Sequence, residues 1–273
     1  MLDKAIIVAH GYLGDEKYQS RRLVLKTEIA HQAQPGQFVH LQVAGGIDPL
    51  LRRPLSIADI DKERQEFTLL YRLKGHGTQV LAKTKVGESL NLMGPLGRGF
   101  SLPAQGELVL VAGGIGVFPL LPLAKEALEH KLKVSLYWGG AEAGFFASAG
   151  LEYWQKTGIP IRFSTMDGSM GSKGDVFELL QKDFAQNKFA PANPPAVAVC
   201  GPHPMMEKVS DYFLRLGARV EVSLEERMAC AVGACLGCVC TLKDESTGKL
   251  RRGKVCQEGP VFKGEEVLWD YGQ

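Results

Sequence analysis

The stretch Leu108-Val109-Leu110-Val111-Ala112-Gly113-Gly114-Ile115-Gly116-Val117-Phe118-Pro119 decides the fold of this chain. An unbroken apolar run reads as a strand covered on both faces, the habit of parallel sheets. The glycines that follow permit a tight turn, and the turn opens a helix. Strand, glycine turn and helix in that order bring free amides and a helix dipole to a diphosphate. Pro119 stands where the G-x-G-x-x-G fingerprint has its third glycine. Gly113, Gly114, Gly116 and Val117 therefore match it only in part, and an ordinary glycine-rich turn uses the same residues.

Toward the C-terminus the alternation continues, with helices expected over 118–130, 148–157, 175–186 and 204–216 and strands over 133–138, 161–165 and 196–200. That rhythm predicts a parallel sheet with helices on both faces. Toward the N-terminus, short segments over 5–9, 23–29, 38–43, 56–61, 66–74 and 89–93 are separated by Gly, Pro and Asp turns. They predict a small antiparallel barrel, interrupted by one helix that Thr78 caps. The fold class is thus α/β plus β, with an antiparallel β-barrel over 1–102, a parallel-sheet α/β domain over 103–222 and a small cysteine-rich domain over 223–273.

Composition narrows the function. In 273 residues, 32 Lys plus Arg face 30 Asp plus Glu, a net charge of +2, and no basic run exceeds a pair such as Arg52-Arg53. Nucleic acid is therefore not an expected partner. Charges at Asp3, Lys4, Asp15, Glu16, Lys17, Arg21 and Arg22 leave no apolar segment for a signal peptide, so a cytoplasmic location is expected. The apolar stretch over 108–124 is interrupted by glycines and prolines and is shorter than the roughly 20 residues of a membrane span.

Of six cysteines, Cys230, Cys235, Cys238, Cys240 and Cys256 crowd the last 44 residues. In a reducing compartment such a cluster points to metal or redox chemistry rather than disulfides. Cys230-x4-Cys235-x2-Cys238 with Cys256 18 positions on has the plant-type ferredoxin spacing for a [2Fe-2S] cluster. Structural zinc usually takes two short C-x2-C pairs, of which only Cys235 and Cys238 form one, and a zinc-stabilised nucleotide-binding regulator is the alternative of another class. Cys240 fits neither spacing. In the barrel region, Arg53 suits bidentate phosphate binding, and Gly77-Thr78 offers amides and a hydroxyl at a helix start; composition alone favours a surface charge and a plain helix cap.

The order of these pieces resembles the ferredoxin-NADP reductase superfamily. Arg53-Pro54-Leu55-Ser56, Tyr71-Arg72, Gly77-Thr78, Gly113 to Pro119, Cys200-Gly201-Pro202, Glu225 to Cys238 and Val255 to Phe262 all occur in the family order. Within that superfamily they resemble the electron-transfer subunits of class 1B dihydroorotate dehydrogenase. The resemblance implies FAD on Arg53, Pro54, Leu55, Ser56, Leu70, Tyr71, Arg72, Gly77 and Thr78, with Ser56 near the flavin N5. It implies NAD on Gly113, Gly114, Gly116 and Val117, with Cys200 near the nicotinamide or serving as a core thiol, and Glu142 facing a ribose 2′-hydroxyl.

It further implies an FMN-containing catalytic partner that oxidises dihydroorotate in pyrimidine biosynthesis, in a dimer of heterodimers. No residue here resembles a base for that oxidation. A flavin and iron-sulfur subunit of a NAD-dependent ferredoxin:NADP oxidoreductase or sulfide dehydrogenase is the nearest alternative. Two departures stand out. The 17 residues between Cys238 and Cys256, with Asp244-Glu245-Ser246-Thr247-Gly248 among them, lengthen a surface turn. Phe118 replaces a small residue and is expected to narrow the dinucleotide entrance.

Overall fold

The computed structural model describes residues 2–46, 48–186, 194–244 and 246–269. Six strands, β1 (Leu2–Tyr12), β2 (Ser20–Lys26), β3 (Phe38–Gln42), β4 (Arg53–Asp61), β5 (Glu66–Arg72) and β6 (Ser89–Leu96), close into a barrel ordered β1-β2-β5-β4-β3-β6. The two-residue strand period turns Leu23, Leu25, Val39, Leu41, Ile57 and Leu69 into its interior. Leu81 of helix α1 (His76–Leu81) plugs that interior. The strand expected over 23–29 stops at Lys26, because Glu28–Gln32 winds into a 3-10 turn that delivers Ile29 and Ala30 to the same core.

The second unit runs β7 (Glu107–Gly113), α2 (Leu120–Glu129), β8 (Lys133–Gly140), α3 (Ala143–Ala147), α4 (Leu151–Gln155), β9 (Ile161–Thr165), β10 (Ser172–Lys173), α5 (Val176–Gln186), β11 (Ala196–Cys200), α6 (His203–Arg215) and β12 (Arg219–Ser223). The helix expected over 148–157 is the shorter α4, which begins after Gly150 at φ +82°, and α3 before it is an addition to the sequence reading. β12 is an addition to the sequence reading. After it come the hairpin β13 (Val239–Lys243) and β14 (Leu250–Lys254), then β15 (Val261–Lys263). The sheet order is β10-β9-β8-β7-β11-β12-β15, parallel except for β15 against β12.

Alternation along β7 divides the packing. Leu108, Leu110 and Ala112 face α2, α3 and α4 in one core, while Val109 and Val111 face α5 and α6 in another. Each such fully buried side chain stabilises by roughly 1.5–3 kcal/mol. The first core takes in Leu13, Ala58 and Leu70 from the barrel; the second takes in Phe38 and Leu96. The tail joins the second core through Ala231, Cys238, Leu242, Val255, Cys256 and Phe262. A segment this short cannot bury enough apolar surface alone. It borrows the core of its neighbour and completes that neighbour's sheet with β15.

Candidate functional site

β7 and β11 are adjacent; the chain runs from β7 through β8 to β10 on one side, then crosses back to lay β11 and β12 on the other. Such a reversal opens a crevice beyond the carboxyl ends of the strands, where ligands of open α/β sheets bind. Gly113 to Val117 form the floor of that crevice. Gly114 has φ +58°, and the Trp138 indole donates to its carbonyl at 3.0 Å, pinning the turn to β8. A Cβ on Gly116 would stand 2.3 Å from the Cys200 carbonyl oxygen, and one on Gly113 would stand 2.6 Å from Pro202. The loop is thus locked against Cys200-Gly201-Pro202 before any ligand arrives.

Phe118 lies in the core under α2, 4% exposed, and does not narrow the entrance. Cys200 pairs in register with Ser223, and burial pushes its thiol up to about 12. Glu142 follows β8. Its carboxylate accepts from the Tyr18 hydroxyl at 2.5 Å and lies 3.3 Å from Lys17 Nζ, both on the barrel's β1–β2 hairpin. These contacts hold it below the usual carboxylate range, with the Tyr18 bond the first cause.

The barrel residues singled out in the sequence fall into distinct roles. Arg53 lies against the start of α1 so closely that a Cβ on Gly77 would come within 2.1 Å of its Nε. This cradle presents a guanidinium beside a helix start, a donor set suited to a diphosphate. The Thr78 hydroxyl, by contrast, is used within the loop: it donates to the Gly75 carbonyl at 2.9 Å and accepts from the amides of Lys74 and Gly75. Only the Thr78 backbone is left for a ligand.

Pro54 and Ser56 lie opposite His40 and Phe38 across the β3–β4 ladder, and Leu55 packs on the barrel core. Leu70 faces the nucleotide-binding unit, and Arg72 Nε donates to the Tyr18 carbonyl at 3.2 Å. The Tyr71 ring turns inward, hydrogen-bonded to His10 Nε2 at 2.8 Å, so it cannot stack on a cofactor lying outside the barrel. Arg52, its neighbour's twin in sequence, is a strut. It donates to the carbonyls of His40 and Asn91 and to the Asn91 side chain.

The four spaced cysteines converge as two pairs. Cys230 and Cys235 interact through their thiols, as do Cys238 and Cys256. The Cys235 amide donates to Cys230 Sγ at 3.3 Å, the Gly237 amide to Cys235 Sγ at 3.4 Å and the Cys256 amide to Cys238 Sγ at 3.5 Å. Amides led by that of Val232 bring Cys230 down to about 6, whereas burial pushes Cys256 up to about 12. Among the described residues no three ligand side chains meet at a point for a single ion. Two thiol pairs with amide donors on sulfur fit the four thiolates that a two-iron cluster would take.

Ala231 and Leu236 adopt φ of 55° and 60°, a conformation costing about 1–2 kcal/mol for a side-chain-bearing residue. Cys240 lies outside the quartet, its thiol directed at the Gly253 carbonyl in the β13–β14 hairpin. The turn of that hairpin joins Lys243 to Leu250. Asp244 caps it through the amides of Ser246 and Thr247, while Glu245 lies outside the described residues.

The sequence reading missed Tyr18, Lys17 and Trp138. A tyrosine after a turn and a tryptophan in an apolar strand carry no spacing signal, since their partners are more than 20 residues away in the chain.

Comparison with known proteins bears on all three regions. Residues 225–268 match the iron-sulfur cluster binding domain of dihydroorotate dehydrogenase B, and residues 110–211 match the oxidoreductase NAD-binding domain. The chain is 41% identical over 244 residues to the dihydroorotate dehydrogenase B (NAD(+)) electron transfer subunit of Desulforamulus reducens, covering 89% of this chain and 90% of that protein. It is 40% identical over 269 residues to the corresponding subunit of Enterococcus faecalis, covering 96% of each.

Among solved structures, an NADH-dependent reduced ferredoxin-NADP oxidoreductase superposes with a TM-score of 0.79 at 25% identity, over 97% of this chain and 90% of that one. A ferredoxin NADP+ reductase from Neisseria gonorrhoeae, solved with FAD and NADP bound, shares the fold at a TM-score of 0.65 and 17% identity, over 82% of this chain and 99% of that one. The iron-sulfur match sets aside the zinc alternative.

Proposed function

The chain belongs to the family of dihydroorotate dehydrogenase B (NAD(+)) electron transfer subunits, and on that premise we propose how its residues divide the work. Cys230, Cys235, Cys238 and Cys256 hold a [2Fe-2S] cluster. Arg53, with the amides of Gly77 and Thr78, holds the FAD diphosphate, and Pro54, Leu55, Ser56 and the backbone of Leu70, Tyr71 and Arg72 line the flavin. Gly113, Gly114, Gly116 and Val117 receive the NAD diphosphate, with Cys200 behind the nicotinamide. The boundaries are 1–102, 103–222 and 223–273, with β15 of the last segment serving the sheet of the second.

One observation carries this reading. Phe38, the register partner of Ser56, packs in the same core as Cys238 and Cys256. The barrel face assigned to the flavin and the loop assigned to the cluster therefore border the same apolar core, an arrangement suited to electron transfer between them. When bound, FAD supplies a centre able to exchange single electrons with iron and a hydride with NAD(+). The protein does the remainder. Ser56 Oγ offers a hydrogen bond at the flavin edge, Phe38 and Leu96 exclude water from that core, and the Arg53 guanidinium neutralises the diphosphate.

Dihydroorotate is oxidised on an FMN-containing catalytic partner, with two copies of each chain assembling in the cytoplasm. No helix among the described residues is long and apolar enough to cross a membrane. The test is reconstitution with a dihydroorotate dehydrogenase catalytic subunit. Dihydroorotate-dependent NAD(+) reduction should require both chains, and the purified chain should show flavin and iron-sulfur absorbance. Dihydroorotate oxidation by this chain alone, or a colourless chain, would overturn the assignment.

A further inference from the structure

Two arginines stand side by side at the start of β4, and Arg53 is the one that reaches the cradle at α1. Its Nη1 donates to the Leu51 carbonyl and, at 3.3 Å, to that of Arg52. The opposite edge of the guanidinium faces the helix: a Cβ on Gly77 would stand 2.1 Å from Nε and 2.4 Å from Nη2. One corner is thus held by backbone, which leaves the Nε–Nη2 fork for a bidentate grip on phosphate. The direction of that fork depends on where the Leu51 and Arg52 carbonyls stand.

Apolar burial does not place them, because Leu50 and Leu51, the two residues leading into Arg52, are 76% and 47% exposed. Arg52 does so instead. Its Nη1 donates to the His40 carbonyl at 3.3 Å and the Asn91 carbonyl at 3.2 Å, and its Nη2 donates to Asn91 Oδ1. The side chain therefore crosses β3 and ties the start of β4 to β6, two strands away.

His40 bears on the same carbonyl. Val39 and Leu41 turn into the barrel, so strand alternation puts His40 on the outer face with Phe38. It is fully buried, and among the described residues neither ring nitrogen has a hydrogen-bond partner. The Arg52 carbonyl faces the ring closely enough to favour its protonated form, but no bond is closed. Burial first, and then the Arg52 charge, bring the imidazole down to about 4, so at neutral pH it is uncharged and keeps one N–H to donate. A buried N–H without an acceptor is unfavourable, and the Arg52 carbonyl has a second lone pair to offer.

We propose that Arg52 and His40 are positioning residues for FAD: they hold the Leu51 and Arg52 carbonyls, and through them Arg53 Nη1, so that the Nε–Nη2 fork is set for the diphosphate. In the flavin-bound chain the His40 N–H closes on the Arg52 carbonyl and fixes it behind Nη1. The proposal rests on Arg53 being the diphosphate grip. Of the paired arginines, one binds and the other aims.

The test uses the full-length, iron-loaded chain and reads FAD affinity from the quenching of flavin fluorescence. Arg52→Ala should raise the dissociation constant about tenfold or more, and Arg52→Lys, which cannot serve all three acceptors at once, should recover only part of the loss. In an Arg53→Ala background, Arg52→Ala should cost less than about twofold, because no guanidinium is left to aim. His40→Leu should weaken FAD by about three- to tenfold, while the melting temperature measured without flavin stays at or above that of the wild type, since an unpartnered buried polar group is gone. His40→Gln, whose amide can donate to the same carbonyl, should restore most of the affinity. A merely structural role predicts equal losses of FAD affinity with and without Arg53, or a lower melting temperature for His40→Leu with FAD affinity unmoved, and either result would overturn the proposal. If Arg53→Ala alone left FAD affinity unchanged, the assignment of Arg53 to the diphosphate would fall, and the proposal with it.

Discussion

The two loops of small residues to which we assign the dinucleotide and the iron-sulfur cluster are held in opposite ways. The glycine loop at Gly113–Val117 is closed by protein on every side, with Trp138 bonded to its turn and Cys200-Gly201-Pro202 against its back. The cysteine loop at Cys230–Cys238 has amides on its own sulfurs, exposed Val232, Cys235 and Leu236, and left-handed Ala231 and Leu236. One loop is shaped before its ligand binds. The other depends on its ligand for order, because metal-ligand bonds supply the free energy that apolar contacts do not.

The sharpest way to break this comparison is to remove the metal. Cys256→Ser, or prolonged chelation, should abolish iron binding and reduce dihydroorotate-dependent NAD(+) reduction by at least about a hundredfold. Hydrogen exchange should then speed up across 225–268 while 108–117 stays protected, since only the first region leans on the cluster. Equal loss of protection in both loops would show that the glycine loop is not preformed.

A smaller effect is expected from Gly116→Ala. Its Cβ would collide with the Cys200 carbonyl, and something must shift. Denaturant unfolding should report about 2–3 kcal/mol lost, within the range for strained close-packed sites. Iron content should remain at the wild-type value, which separates the two loops from the other direction.

Alkylation sharpens the contrast further. Burial pushes the Cys200 thiol up to about 12, so it stays protonated and unreactive well above neutral pH. At pH 8 the metal-free protein treated with iodoacetamide should be labelled at exposed Cys235 and spared at Cys200, as read by peptide mass spectrometry. At the same pH, Gly116→Ala should bring Cys200 into reaction by opening the packing behind it. The least effect belongs to Leu236→Gly, which relieves a left-handed side chain but adds chain entropy. The melting temperature should move by no more than about 2 °C, and iron release to a chelator should slow slightly.

Much of this was legible in the chain. The apolar run over 108–112 is buried on both faces and became the central parallel strand, because no other element suits such a run. Cys230, Cys235 and Cys238 share one loop, so their spacing is a local property, whereas Cys256 meets Cys238 because the β13–β14 hairpin folds the chain back. Arg53 and Gly77 were each visible as phosphate-binding types, but their contact was not, since 23 intervening residues must fold before they meet.

Other readings failed for tertiary reasons. Thr78 looked like a free hydroxyl donor and is spent on its own loop. Tyr71 looked like a cofactor neighbour, yet β5 alternation turns it into the barrel against His10. Phe118 looked like an obstacle at the entrance and is core. Strand period and local spacing cannot say which side of a closed barrel faces a partner domain.

The sequence by itself therefore determined the three-part architecture, the glycine turn after the central strand and the close spacing of Cys230, Cys235 and Cys238, because each rests on residues close together in the chain or on a repeating period. Only the tertiary structure decided that the tail shares its neighbour's core, that Phe38 joins Ser56 to the cysteine layer, and that a barrel hairpin grips Glu142. Those relations come from packing between distant segments, where shape and burial rather than spacing choose the partners.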